Sequence, residues 1–427
     1  MSFLPSFFKN NKSASPASQL VSENITVGML SDLIPIRNFS TEKLEAFATN
    51  LKSEMYPKGS ILFRIGEDTD SALYLLKGMI TLSDDTGKAY EINDGTAKAR
   101  FPLSSGAKHT TTALAESDVS ILRVSQNIMA SRSASSNHFS QLVIPDDLAD
   151  NRLLQTFAEH YANEKLEIPT LPDVAIKLRN AIQQDVGVGE AAKIIQMDPV
   201  MSAKLIELAN CPLYVCSTPA KSCFEAINRI GLNATRNLVI SLSIHHVFKS
   251  HSPLVKKFLD RIWKQSLYIS TLSFVLAGLT KQAKPEEALL AGLVCDIGTV
   301  PFLHFADNLP KDYYTEAELM RSLSCVKGPI GYKLLLEWGF SEEFIKVPVY
   351  SDDWYQNTSK ELNLTDIVVL SRLHSAIGHT DMASLPVITS IPAASKLKDY
   401  SLSPEMSLNL LHNAKQQISD ALKAFSN

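Results

Sequence analysis

Between Leu51 and Val124, short apolar runs alternate with breaks at Gly59, Gly66, Gly78, Gly87 and Gly95. Runs this short, set between turn residues, predict strands rather than helices. Ile61-Leu62-Phe63, Ala72-Leu73-Tyr74-Leu75-Leu76 and Met79-Ile80-Thr81-Leu82 are three of them, and Thr110 to Val124, with its Thr, Val and Ile, closes the set. A small β-barrel or roll is predicted. From Asp150 onward glycine thins out and the period becomes helical: Phe258, Ile262, Ile269, Leu272 and Leu276 form a stripe within 258–281. The change of period predicts a multidomain α+β chain, with a β-roll at 25–130 and an all-α domain at 151–427. Between them, 131–150 opens on Ser131-Arg132-Ser133-Ala134-Ser135-Ser136-Asn137 and is read as a linker. Residues 1–24 are expected to be a disordered tail, whose aromatic start at Phe3, Phe7 and Phe8 leaves docking to a membrane or partner open.

Length and composition narrow the class. At 427 residues the chain has room for two or three domains, each with its own core. Forty-five acids against 41 bases give a net charge of −4, so no whole-protein field favours nucleic acid or acidic lipid. The five cysteines are an odd count with no preceding signal peptide, which points to a reducing cytoplasm. Apolar stretches such as Leu267 to Leu279 are interrupted by Ser and Thr and fall short of the roughly 18 residues of a membrane span.

Tyr56-Pro57-Lys58-Gly59-Ser60-Ile61-Leu62, Ile65-Gly66-Glu67-Asp68 and Leu73-Tyr74-Leu75-Leu76-Lys77-Gly78 stand in an order that resembles the first half of a cyclic-nucleotide-binding domain. The likeness covers about Thr26 to Ile128, with 40–48 as the leading helix and Ser40 as its N-cap. It implies a jelly roll with flanking helices, in which a Gly-Glu turn and an arginine hold the cyclic phosphate. Here that loop is Ala99 to Ala113, which lacks the Gly-Glu turn, carries Pro102 and places His109 at the arginine position. Losing two charge-assisted contacts at roughly 1.5–3 kcal/mol each weakens binding by on the order of 10²–10⁴. Ordinary cyclic AMP sensing is disfavoured, and Arg100, Lys108 and His109 remain weak candidates for another anion.

In the second half, Ile168-Pro169-Thr170-Leu171-Pro172, Asp198-Pro199-Val200-Met201, Leu208-Ala209-Asn210 and Ala226-Ile227-Asn228-Arg229-Ile230-Gly231 resemble the HDOD family. The match spans about Leu153 to Phe425 and includes Ile391-Pro392-Ala393 and Leu402-Ser403-Pro404-Glu405. Asp198 as N-cap with Pro199 at the first helical position marks a helix start, because aspartate accepts from orphan amides and proline has none. The stretch from Ala288 to Gly298 resembles the His-Asp signature of the related HD phosphohydrolases, with Cys295-Asp296 in place of His-Asp. In that superfamily several His and Asp side chains converge on metals that activate water and clamp phosphate. The resemblance places Gln265, Cys295, Lys327 and Asp352 at other ligand positions, and Asp296 is the one clearly retained. Gln265 is expected to point inward from the stripe between Ile262 and Ile269. A neutral amide is a poor metal ligand, and an ammonium repels the ion. A lone carboxylate in an apolar run is costly to bury, so Asp296 is expected either to pair with Lys327 or to cap a helix end or face water.

Other combinations carry less. His245 and His246 stand roughly 100° apart on a helix and cannot easily chelate one ion. Cys211, Cys216 and Cys223 lack paired spacing and a fourth ligand, so small buried residues are favoured over zinc. His304, His374 and His379 have no recognisable partner spacing. The chain is therefore expected to be a non-enzymatic bacterial signalling protein. It would have no catalytic residue, metal or cofactor, and would act through protein partners of the kind HDOD relatives meet in cyclic-dinucleotide pathways. Two alternatives stay open, a ligand-gated regulator that binds a nucleotide or other anion in the β-roll, and a divergent metal-dependent phosphohydrolase.

Overall fold

The structure, a computed structural model, describes residues 24–126, 139–163, 166–211, 214, 218–310, 312–377 and 384–398. Residues 1–23 of the expected tail, the serine-rich start of the linker, Cys216, His379 and 402–405 lie outside them. Two short helices, α1 (Val27–Ser31) and α2 (Thr41–Asn50), lead into the seven strands found among the described residues. These are β1 (Ser53–Tyr56), β2 (Ile61–Phe63), β3 (Ser71–Lys77), β4 (Met79–Ser83), β5 (Ala89–Asn93), β6 (Thr112–Ala115) and β7 (Val119–Ser125). They form two antiparallel sheets, β1-β7-β3 and β2-β6-β4-β5. Phe63, Leu73, Leu75, Ile80, Leu82 and Ile121 fill the space between them, which is the roll the short runs predict. Gly78, between β3 and β4, has φ +96°, and a Cβ there would lie 2.5 Å from the Asp118 carbonyl oxygen. Only glycine fits that turn. Ser40 sits at the N-cap of α2, but its side chain makes no capping bond.

From residue 152 onward the described chain is helical. The order is α3 (Arg152–Ala162), α4 (Asp173–Gln183), α5 (Val188–Gln196), α6 (Pro199–Ala209), α7 (Cys223–Ile230), α8 (Leu232–Ile244), α9 (Pro253–Thr280) and α10 (Pro285–Val294). It continues with α11 (Thr299–Asp307), α12 (Glu316–Glu337), α13 (Glu342–Ile345), α14 (Val347–Tyr350), α15 (Leu364–Ser375) and α16 (Pro392–Ser395). Asp198 caps α6 as expected, accepting from the amides of Val200 and Met201 at 2.9 and 3.0 Å. The stripe of Phe258, Ile262, Ile269, Leu272 and Leu276 is buried along one side of α9.

Pro285–Asp307 is long and apolar enough to pass for a membrane span, with a mean hydropathy of 1.7, contrary to the expectation that no stretch reaches that length. The protein interior covers 89% of its most apolar window, and a turn at 295–298 separates α10 from α11. Its hydropathy is that of a core element. Glycines set how closely this core packs. A Cβ on Gly292 of α10 would lie 2.5 Å from Ser270 Cα of α9, and one on Gly298 would overlap the Lys327 carbonyl oxygen and the Gly331 amide of α12. A Cβ on Gly331 would in turn lie 2.5 Å from Pro348 of α14. The α10–α11 turn and α12 therefore meet backbone to backbone, and α12 seats the Pro348 ring of α14 on Gly331.

Candidate functional site

That three-way contact brings the charged residues together. Asp296 lies two residues before Gly298, Lys327 precedes Gly331 by about one helical turn, and Asp352 follows α14 directly. Lys327 Nζ stands 3.2 Å from Asp296 Oδ1, and both side chains are under a tenth exposed. Lys327 also pairs with Asp352. The fourth member is Arg372, near the end of α15. Its Nη1 donates to both Asp296 oxygens at 3.0 and 3.1 Å, and its Nη2 lies 2.6 Å from Asp352 Oδ1. Two carboxylates and two cations thus form a closed, electrically neutral cluster, open to water on the Asp352 side, where that side chain is 45% exposed.

Electrostatics follow from this geometry. Burial alone would raise the Asp296 carboxyl, but Arg372 and Lys327 outweigh it and hold the group well below the usual carboxylate range. Asp352 moves the same way for the same reasons. Arg372 is held more firmly protonated, since Asp296 and Asp352 outweigh its desolvation. Cys295 lies fully buried beside them, with Arg372 Nη1 3.4 Å from its Sγ. Burial first, and then Asp296, push its thiol up to about 12, so it remains protonated at neutral pH.

These residues do not fit a divalent metal. Lys327 and Arg372 already engage both carboxylates and bring two positive charges that repel a cation, and Cys295 Sγ lies against Arg372. Among the described residues, no three His, Cys, Asp or Glu side chains gather where they could hold an ion.

Gln265 does not join the cluster. The structure corrects the inward placement: Gln265 is exposed, and Ser266 is the buried residue. Positions three and four beyond Ile262 flank the same stripe, and α9 turns the serine inward. Arg372 is the residue that sequence reasoning missed. Its signal was present as an arginine within the apolar run from Ile367 to Leu373, which requires a counter-charge when buried.

The β-roll candidates do not converge. Arg100 is exposed at the end of a 3-10 turn (Ala97–Arg100). Lys108 is exposed and sits 3.7 Å from Asp68, itself 84% exposed. His109 is buried, stacked on Phe63 with ring centroids 4.0 Å apart, and its Nδ1 lies 2.8 Å from Ser104 Oγ. Burial lowers its imidazole pKa, so it does not present a fixed positive charge.

Among the other histidines, three candidates have structural partners. His245 stacks on Trp263 at 4.6 Å, His304 Nε2 is 3.1 Å from the Lys249 carbonyl, and His374 Nδ1 is 2.7 Å from that of Leu370. Cys223 is buried, whereas Cys211 and Cys325 are partly exposed.

Residues 168–353 match the HDOD domain family. A solved Shewanella amazonensis SB2B protein, assigned provisionally as a metal-dependent phosphohydrolase, is 23% identical, covers 64% of this chain and 99% of its own, and superposes with TM-score 0.55. The two share a fold. An HDOD domain protein of unknown function from Geobacter sulfurreducens is 20% identical over 64% of this chain and 98% of its own, with TM-score 0.48. A cyclic nucleotide-binding-like protein from Brucella abortus aligns with 26% of this chain and 97% of its own at 22% identity and TM-score 0.20. An uncharacterized Treponema pallidum protein is 25% identical over 165 residues, 38% of this chain and 31% of that one. The matched region thus spans about a third of that curated relative.

Proposed function

We propose, starting from an HDOD domain at residues 168–353, that this chain is a non-catalytic regulatory protein of the bacterial cytoplasm whose helical domain works through protein contacts. One observation carries the reading. Where the resemblance to HD phosphohydrolases implies metal, Lys327 and Arg372 supply the positive charge against Asp296 and Asp352. Metal-assisted hydrolysis needs an ion that lowers the pKa of a bound water and takes up phosphate charge. Two side-chain cations paired with both carboxylates compete with that ion and repel it. The cluster then serves structure: it ties the α10–α11 turn, α12, α14 and α15 into one unit, the kind of rigid surface a scaffold requires.

The test pairs elemental analysis of the purified full chain with a phosphodiester hydrolysis assay in added Mn²⁺, Fe²⁺ or Zn²⁺. The reading expects less than stoichiometric metal and no turnover above the metal-only control. Stoichiometric metal that disappears in Asp296→Ala would reverse it in favour of a divergent phosphohydrolase.

A further inference from the structure

The loop from Ala97 to Thr111 gathers buried polar side chains: Ser104, Ser105, His109 and Thr111. Ser104 and His109 satisfy each other, but Ser105 turns away from the roll. Its Oγ donates to the Ser390 carbonyl at 2.5 Å, and Thr110 Oγ1 donates to the Thr389 carbonyl. Lys98 Nζ donates to the Leu385 carbonyl at 2.5 Å, and Tyr90 OH lies 3.2 Å from Thr389 Oγ1. Gly106 completes the surface, because a Cβ there would overlap the Ser395 side chain. The β-roll thus holds the 385–395 segment largely through its main-chain carbonyls, by hydroxyl and ammonium donors. Ile391 and Ala393 are buried at the same place.

This is the loop to which the sequence resemblance assigns a cyclic phosphate, and its donors are of the kind that hold phosphate oxygens. Carbonyl oxygens of the chain itself now occupy them. The far end of the segment is tied to the helical domain. Lys396 Nζ lies 3.0 Å from both carboxylate oxygens of Asp366, and the two side chains are 5% and 0% exposed. Asp366 also closes the capping box of α15 with Asn363 and accepts from Gln356 Nε2 at 2.6 Å. The same helix presents Arg372 to Asp296 and Asp352.

We propose that the 97–111 loop of the β-roll is a peptide-docking site whose occupant is the chain's own Leu385–Ser395 segment, and that Lys396 and α15 link its occupancy to the Arg372 charge cluster. The β-roll then reads the helical domain directly. Any ligand that takes this loop must first displace the segment, and displacement loads the Lys396–Asp366 pair. The docking contacts of Lys98, Ser105 and Thr110 do not touch Asp296, so they hold whether or not the helical domain binds metal, and only the link through α15 rests on the Arg372 cluster.

Gly106→Val is the sharpest probe. Gly106 does not occupy the left-handed region, so the backbone accepts valine, and its side chain would collide with Ser395. Hydrogen exchange followed by mass spectrometry on the full chain should show amides 390–397 exchanging at least about tenfold faster, while β3 and β7 keep their protection. Ser105→Ala with Thr110→Val removes the donors without adding bulk, and should speed the same amides by roughly five- to tenfold. Lys396→Met should release the segment from its other end and also speed exchange in α15. Unchanged exchange at 390–397 in the donor variant would overturn the proposal, as would release by Lys396→Met with α15 unaffected. Should Gly106→Val unfold the roll, seen as lost protection in β3, the other two variants decide.

Discussion

The charge cluster of the helical domain and the 97–111 loop of the β-roll answer one problem in opposite ways. Each stands where a sequence resemblance implies an external ligand, and each is filled by the chain itself. In the helical domain the filling is ionic and buried: two carboxylates and two cations with the Asp296, Lys327 and Arg372 side chains no more than 13% exposed. In the β-roll it is neutral on the segment's side, with main-chain carbonyls resting on Ser105, Thr110 and Lys98. Uncovering a buried ion costs several kcal/mol, whereas exchanging one neutral hydrogen bond for water costs about 1 kcal/mol. The first arrangement suits a permanent structural element. The second suits a contact that can be released.

Variants that separate the two regions should differ in size of effect. Arg372→Met leaves Asp296 and Asp352 sharing Lys327 alone and should destabilise the full chain by about 3–5 kcal/mol in urea unfolding; a loss under about 1 kcal/mol would place Arg372 outside the energetics of the cluster. Lys327→Met should cost somewhat less, on the order of 2–4 kcal/mol, because Arg372 still grips both carboxylates. Adding Asp296→Asn should recover part of that loss, and a further additive drop would mean that the two side chains do not interact.

The clusters should also differ in acid. The folded Asp296 carboxyl titrates below its unfolded value of roughly 3.9, so its stabilisation is complete well above that pH and fades as pH falls below about 4. The stability gap between the parent and Asp296→Asn should therefore narrow from pH 6 to pH 3. A gap that is constant or widens would contradict the ion pairing. Ser105→Ala and Thr110→Val act on neutral bonds and should each cost about 1 kcal/mol, with little dependence on pH in that range. The smallest effect concerns Cys295. With its thiol pushed to about 12 and fully buried, it should resist alkylation at pH 8 in the folded chain while the partly exposed Cys211 and Cys325 react, as peptide mapping would reveal.

The two-domain division was legible because the apolar period changes from strand-like to helical near residue 150, and the cap at Asp198 because its chemistry is local. The partnership of Asp296 with Lys327 was legible only through the family positions of those residues, which carry three-dimensional information that spacing lacks. Arg372 lies outside every quoted motif, and its approach depends on how α15 packs against α9 and α10. Gln265 failed because helical periodicity does not decide between neighbours at the edge of a stripe. In the β-roll, Arg100, Lys108 and His109 lie in a loop where no periodic rule says which way a side chain faces. The segment that fills that loop is nearly 300 residues away in sequence, at Thr389 and Ser390.

The double-mutant cycle between Asp296 and Arg372 tests the central claim most directly. Urea unfolding of the parent, Asp296→Asn, Arg372→Met and the double variant at pH 7 should give a coupling of roughly 2–3 kcal/mol, with the double variant more stable than Arg372→Met alone. Additive losses would show that the arginine does not stand in for a metal ion at Asp296, and the account of a permanently filled site would fall.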